Sequence, residues 1–166
     1  MKAIIASDIH GNIVYTEKLE QLILRENPEL LILLGDYFSS DNRVVDILNK
    51  YSDIICAVKG NCDYYYDSDE CTFDYNHDYL ILKLDGIEFF CTHGDQLYKK
   101  EFIELSKDKY ILQGHTHVYS IHGNRINPGS VGRPRENPEH TCILYNNKTL
   151  NLVDLDNFNY LDKRIL

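Results

Sequence analysis

Apolar and polar positions along the first sixty residues follow two rhythms. Lys2–Ser7, Leu30–Leu34 and Ile54–Val58 are short, nearly uninterrupted apolar runs of the length expected for buried strands. Between the first two, Tyr15, Leu19, Leu22 and Ile23 recur at helical spacing. That stripe predicts a helix from an N-cap at Asn12 to about Glu26, stopped by Asn27-Pro28. Val44, Val45, Ile47 and Leu48 predict a second helix over Asn42–Tyr51, after a loop through Ser39-Ser40-Asp41. A strand–helix–strand order implies parallel pairing, so the first half reads as a β-α-β-α-β unit.

From Asp63 to Asp78 the pattern is lost in a stretch rich in tyrosine and acid, including Tyr64, Tyr65, Tyr66, Asp67, Asp69, Glu70 and Asp74. It reads as a solvated loop with aromatics tucked beneath it, with a substrate-facing rim beside Asn61 as the sharper alternative. Hairpins follow. Asp85-Gly86 separates the strand patterns Tyr79–Leu84 and Ile87–Thr92, and Gly123-Asn124 separates Val118–His122 from Arg125–Asn127. Asn146-Asn147-Lys148 separates Thr141–Tyr145 from Thr149–Leu155. A helix over Tyr98–Leu105 and a strand over Tyr110–Gln113 complete the second half. Two sheets packed face to face, with helices outside, would bury both sets of strands.

The polar residues with metal-binding chemistry sit where these strands end. Asp8 and His10 follow the first run, Gly35-Asp36 the second, and Gly60-Asn61 the third. His93-Gly94 follows Ile87–Thr92, and Gly114-His115-Thr116-His117 follows Tyr110–Gln113. Open α/β sheets bind ligands beyond the carboxyl ends of their strands. In an extended segment His115 and His117 would point to one side. Convergence of the five ends would gather two Asp, one Asn and four His, enough for two metal ions sharing a carboxylate. Asp36 is the natural bridge, because a carboxylate has two oxygens to share. Donors of this kind, without thiolate, suit Mn²⁺, Fe²⁺, Zn²⁺, Co²⁺ or Ni²⁺. Two such ions bring the pKa of a shared water to roughly 7 and stabilise an in-line displacement at phosphorus.

Composition narrows the surroundings. The chain has 166 residues, 43% of them hydrophobic and 26% charged, which suits one domain over 1–166. The net charge of −9 argues against a nucleic-acid surface, and no apolar run approaches the ~20 residues of a membrane span. Met1 to Ser7 leads directly into Asp8, so it reads as a core strand rather than a signal peptide. Five cysteines without a Cys-x-x-Cys pattern suggest reduced thiols in a cytoplasmic protein, with Cys56, Cys91 and Cys142 as core filler.

Asp8-x-His10, Gly35-Asp36, Gly60-Asn61-x-Asp63, His93-Gly94 and Gly114-His115-Thr116-His117 together resemble the five signature blocks of the calcineurin-like metallophosphoesterases, in family order. Asn127-Pro128-Gly129-Ser130 followed by Pro134-Arg135 resembles the small bacterial and archaeal phosphodiesterase branch, whose relatives include the retromer scaffold subunit. The resemblance implies a four-layer αββα sandwich of two mixed sheets. It implies one metal, Mn²⁺ foremost, at Asp8, His10, Asp36 and His117, and a second at Asp36, Asn61, His93 and His115. It implies a phosphodiesterase or phosphatase acting on a small phosphate ester, with metal-bound hydroxide as the nucleophile. A metal-binding scaffold of the same fold is the alternative, and a nuclease a third reading that the acidic balance disfavours. Homo-oligomerisation is left open. Where the family pattern carries His after the Asn, this chain has Cys62, which implies dependence on good leaving groups. Asp63 is expected to orient His10 or a neighbouring ligand.

Around these blocks, Asn127–Ser130 reads as a tight turn supporting the site. Arg133 and Arg135 are candidates for holding a phosphate, with an exposed ion pair as the alternative. Tyr37 and Phe38 read as core before pocket, and His77, His122 and His140 as structural or surface residues.

Overall fold

Strand β1 (Lys2–Ala6) is buried on both faces, and its alternate residues enter two different cores. Ile4 and Ala6 lie with Leu31 and Leu33 against Leu19, Leu22, Val44 and Leu48 of helices α1 (Ile13–Glu26) and α2 (Arg43–Asn49). Ala3 and Ile5 face the other way, toward Phe89, Cys91, Leu112 and Ile126 of a second sheet. A third, smaller cluster of Phe90, Phe102 and Ile111 seats helix α3 (Lys100–Leu105) on that sheet's far side. Helices, sheet, sheet and helix give the four-layer αββα arrangement, described in this computed structural model for residues 1–38, 43–65 and 70–166, with only the backbone at Tyr65. The expected loop at Ser39–Asp41, the helix start at Asn42, and Tyr66, Asp67 and Asp69 lie outside the described residues.

The first sheet runs β11-β10-β9-β1-β2-β3. Here β2 is Leu30–Leu33, β3 Ile55–Ala57, β9 Thr141–Asn146, β10 Thr149–Asp154 and β11 Tyr160–Ile165. β1, β2 and β3 are parallel, and β1 meets β9 antiparallel through Ile5↔Ile143. The second sheet runs β4-β5-β6-β8-β7, with β4 (Tyr79–Leu84), β5 (Ile87–Thr92), β6 (Tyr110–Leu112), β7 (Tyr119–His122) and β8 (Arg125–Pro128). β5, β6 and β8 are parallel neighbours, and the hairpins β4–β5 and β7–β8 are antiparallel. Both sheets are therefore mixed, as the sequence leads one to expect.

Local chemistry accounts for the boundaries. The Asn12 side chain accepts a hydrogen bond from the Tyr15 amide at the start of α1, and Asn27 closes that helix in the left-handed region at φ 46°. Asp85 and Gly86 have φ of 48° and 85°, the paired positive values that a two-residue hairpin loop requires.

Several boundaries differ from the reading above by a residue or two, and one strand is new. Ile54 ends a 3₁₀ turn (Ser52–Ile54), so the third strand starts one residue later. Tyr98 and Lys99 precede α3 rather than begin it. β11 was not expected. Its residues are mostly exposed and its centre reads Asp162-Lys163-Arg164, so it has no apolar face to signal a strand. Charge on an edge strand also discourages pairing with another chain.

The Tyr- and Asp-rich stretch carries a 3₁₀ turn at Asp63–Tyr65 and is otherwise irregular where described. Phe73 and Tyr75 pack beneath it against the buried Tyr37 and Phe38.

Candidate metal centre

All five strands whose ends carry the expected ligands are parallel members of their sheets, and their loops meet. The loop after β1 continues the pairing past the strand ends. The Asp8 amide donates to the Gly35 carbonyl at 3.0 Å, and the His10 amide to that of Asp36 at 2.9 Å. On the other side, the amides of Val131 and Gly132 donate to the carbonyls of Ser7 and Asp8. The two sheets are tied where the His115 amide donates to Asp8 Oδ2 at 3.1 Å. Glycine is required at two of these crossings. A Cβ on Gly60 would overlap the Asp36 carboxylate, and one on Gly114 would overlap Ser7 Oγ and stand 2.8 Å from Asp8 Oδ2.

Asp8, His10, Asp36, His115 and His117 all have positive φ, between 47° and 68°. For non-glycine residues this conformation costs on the order of 1–3 kcal/mol each and persists only where surroundings enforce it. It also corrects the expected geometry of the histidine pair. Gly114–His117 is a bend, not an extended strand, and the two imidazoles serve different neighbours. His117 Nε2 lies 3.2 Å from His10 Nε2, whereas His115 Nδ1 lies 2.9 Å from Asn61 Oδ1.

One ligand atom from each of Asp8, His10, Asp36 and His117 falls within 4.8 Å of the others. Asp8, Asp36 and His117 are buried. His117 Nδ1 is 2.6 Å from the Arg133 carbonyl, an atom that only accepts, so Nδ1 holds the ring proton and Nε2 presents a lone pair. That lone pair faces Asp8 Oδ1 at 3.3 Å, and Asp8 Oδ1 is buried without a hydrogen-bond partner. His93 repeats the device. Its Nδ1 donates to the Leu34 carbonyl at 2.7 Å, which turns the Nε2 lone pair toward Asn61 Oδ1 at 3.1 Å and Asp36 Oδ2 at 3.6 Å. Acceptors thus face acceptors at two neighbouring points, an arrangement that a cation at each would satisfy.

Burial sets the protonation of the cluster. It pushes the Asp8 carboxyl up to about 7 and is the main cause that lowers His10 to about 4. His117 is lowered as well, again chiefly by burial. His10 and His117 are therefore held neutral, ready to donate lone pairs near neutral pH.

Asp63 does not reach His10. Its carboxylate accepts from the amides of Asp36, Tyr37 and Gly60, each at 2.8 Å, and so fixes the loop that carries Asp36. Cys62 donates its amide to Asp36 Oδ1 at 2.8 Å. Its thiol is pushed up to about 11, first by burial and then by Asp36, and so stays protonated.

Further residues support these loops from behind. The buried Tyr37 hydroxyl accepts from the Gly35 amide and bonds the carbonyls of Leu33 and Val58, joining the ends of β2 and β3. Ser130 Oγ donates to the Asp8 carbonyl at 2.8 Å. Asn127 pins the Gly114–His117 bend through the Gly114 carbonyl and Thr116 Oγ1, a specific contact behind the supporting turn. His140 stacks on Tyr15 and bonds the Val131 carbonyl, outside the cluster.

Comparison with known proteins agrees with this geometry. The family model for the calcineurin-like phosphoesterase superfamily domain matches residues 1–149. The chain is 28% identical over 171 residues to phosphodiesterase YfcE of Escherichia coli K12, covering 94% of this chain and 93% of that protein. It superposes on the solved structure of YfcE, a phosphoesterase from E. coli, with a TM-score of 0.85 at 26% identity, covering 99% of both chains. A mutant Vps29 from Entamoeba histolytica shares the fold at 18% identity, with a TM-score of 0.66 over 100% of this chain and 99% of that one. By its sequence blocks, its sandwich and this match over most of its length, the chain belongs to the calcineurin-like phosphoesterase superfamily.

Proposed function

We propose that this metal-dependent phosphoesterase is a phosphodiesterase acting on a small phosphate ester. Asp8, His10, Asp36 and His117 would hold one divalent cation, and Asp36, Asn61, His93 and His115 a second, with Mn²⁺ the first expectation. The observation that carries this reading is the pair of acceptor-to-acceptor contacts, Asp8 Oδ1 with His117 Nε2 and Asn61 Oδ1 with His93 Nε2. A cation between the partners would relieve both contacts at once.

Two bound cations would supply Lewis acidity and lower the pKa of a water toward neutral pH. The residues of the chain do the rest. The Arg133 and Leu34 carbonyls keep His117 and His93 in the tautomer that presents Nε2. Asp63 and the Cys62 amide fix Asp36 from two sides. The Cys62 thiol keeps its proton but is a poor acid at this pKa, so esters with good leaving groups are favoured.

A scaffold role is less well supported, because every expected donor is retained at the meeting of the loops. We read residues 1–166 as one catalytic domain, and the five unpaired cysteines suit a cytoplasmic setting. Among the described residues no helix is long and apolar enough to cross a membrane.

The test compares chelated protein with protein reloaded with Mn²⁺ on bis-p-nitrophenyl phosphate and p-nitrophenyl phosphate. Metal-dependent turnover that favours the diester, and its loss in His117→Ala, is the expected result. Stoichiometric metal binding without turnover of either ester would instead favour the scaffold.

A further inference from the structure

The segment after the histidine bend carries two cations that its own chain leaves uncommitted. Arg133 and Arg135 are both exposed, and among the described residues neither guanidinium has a hydrogen-bonding or ion-pair partner. The ion-pair reading of these residues therefore finds no carboxylate within 4 Å. Glu139 lines the same crevice as Arg135 and His117 but does not pair with the guanidinium.

The backbones of the same two residues are firmly held. The Arg133 amide donates to Ser130 Oγ at 2.8 Å, and its carbonyl receives the His117 ring proton at 2.6 Å. The Arg135 amide donates to the His117 carbonyl at 3.2 Å. Each side chain therefore starts from a fixed point beside the cluster. Their charges reach it too. Burial is the larger cause of the lowered basicity of His10 and His117, and the positive charges of Arg133 and Arg135 respectively add to it.

Asp8 and Asp36 are buried, whereas both arginine side chains are open to solvent. The arginines thus border the mouth of the site rather than its floor. An unpaired guanidinium presents a planar fork matched to the oxygens of a phosphate or carboxylate. In a chain of net charge −9, two such groups at one rim mark a local place for an anion.

We propose that Arg133 and Arg135 form a subsite for a second anionic group of the substrate, lying beside the scissile phosphate, so that the preferred esters carry a phosphate or carboxylate of their own. This deepens the phosphodiesterase reading and rests on it. The subsite sets specificity and takes no part in the bond-breaking step.

The experiment compares three esters with one leaving group: 4-nitrophenyl phenyl phosphate and its analogues bearing a para-carboxylate or a para-phosphonate on the phenyl ring. Mn²⁺-reloaded wild type should prefer a charged analogue by about tenfold in kcat/KM, through KM, as expected for one added charge-assisted anchor. The better of the two analogues identifies the anion. In Arg133→Gln/Arg135→Gln the charged-to-uncharged ratio should fall to near one. A wild-type ratio of one or less, or a ratio that survives in the variant, overturns the subsite.

Calorimetric titration of inorganic pyrophosphate into metal-free protein separates this from failure of the parent reading. If no ester is turned over, the phosphodiesterase reading falls, and the titration decides the subsite alone. About tenfold weaker binding in the double variant supports it, and unchanged binding overturns it.

Discussion

The candidate centre has a closed half and an open half. Asp8, His10, Asp36 and His117 come together largely out of solvent, and the rings of His10 and His117 stack with centroids 4.9 Å apart. Asn61 and His115 sit at the rim, His115 exposed, with only His93 of that group fully buried. Each buried donor is held by a further contact: His117 by Arg133, His93 by Leu34, Asp36 by Cys62. His115 has its amide fixed on Asp8, and its ring, though exposed, meets Asn61 Oδ1 at 2.9 Å. Ordering before binding lowers the entropy that binding must remove. Of the two proposed cations, the one in the closed half should therefore be held more tightly and exchange more slowly.

The largest expected effect removes the group common to both halves. Asp36→Ala should lower metal-dependent turnover of bis-p-nitrophenyl phosphate by about a thousandfold or more, since both cations lose a ligand. Retained turnover would remove Asp36 from the bridging position. Asp63→Ala leaves every donor in place but frees the loop, and should weaken Mn²⁺ binding by about 10–100-fold in competition with a chelating dye.

The halves themselves are separated by His115→Ala. Metal analysis should then find close to one equivalent bound instead of two, with binding in the closed half changed by less than about tenfold. Loss of both equivalents would show that the halves are not independent.

Acid provides a graded test of the closed half. Its Asp8 carboxyl, raised to about 7 by burial, holds a proton below that pH, and an incoming cation must displace it. Affinity should then fall as pH drops below 7, by about tenfold per unit, and level off above 7. The lowered histidines add no proton competition until pH approaches their own reduced values. Calorimetry in two buffers of different ionisation enthalpy should count close to one proton released at pH 6. The smallest effect is on stability alone. Tyr37→Phe strands the Gly35 amide and should cost about 1–3 kcal/mol in urea unfolding, with metal stoichiometry unchanged.

β1 and β2 could be read from the sequence because both of their faces are buried, so they appear as nearly unbroken aliphatic runs. The ligand-bearing loops could be read because metal chemistry selects few residue types and glycine must stand where backbones cross, as at Gly60 and Gly114. β11 could not, since an exposed edge strand needs no apolar side. Nor could the bend at His115 and His117. Spacing gives which side of an extended chain a residue faces, but both residues take positive φ, and only the Asn127 and Asp8 contacts show what enforces it. Supporting atoms such as the Arg133 and Leu34 carbonyls leave no trace, because a backbone carbonyl is present at every residue.

The pairing of β1 bears on when the protein acquires its metal. That strand is flanked on one side by β2 and on the other by β9, so Ile5 meets Ile143 far along the chain. During synthesis Asp8 and Asp36 emerge well before His117 and the edge that β9 provides. Such long-range closure is slow and belongs to the completed chain. The four-donor set therefore cannot close until β9 has been made, and the cation proposed to sit there would enter only then.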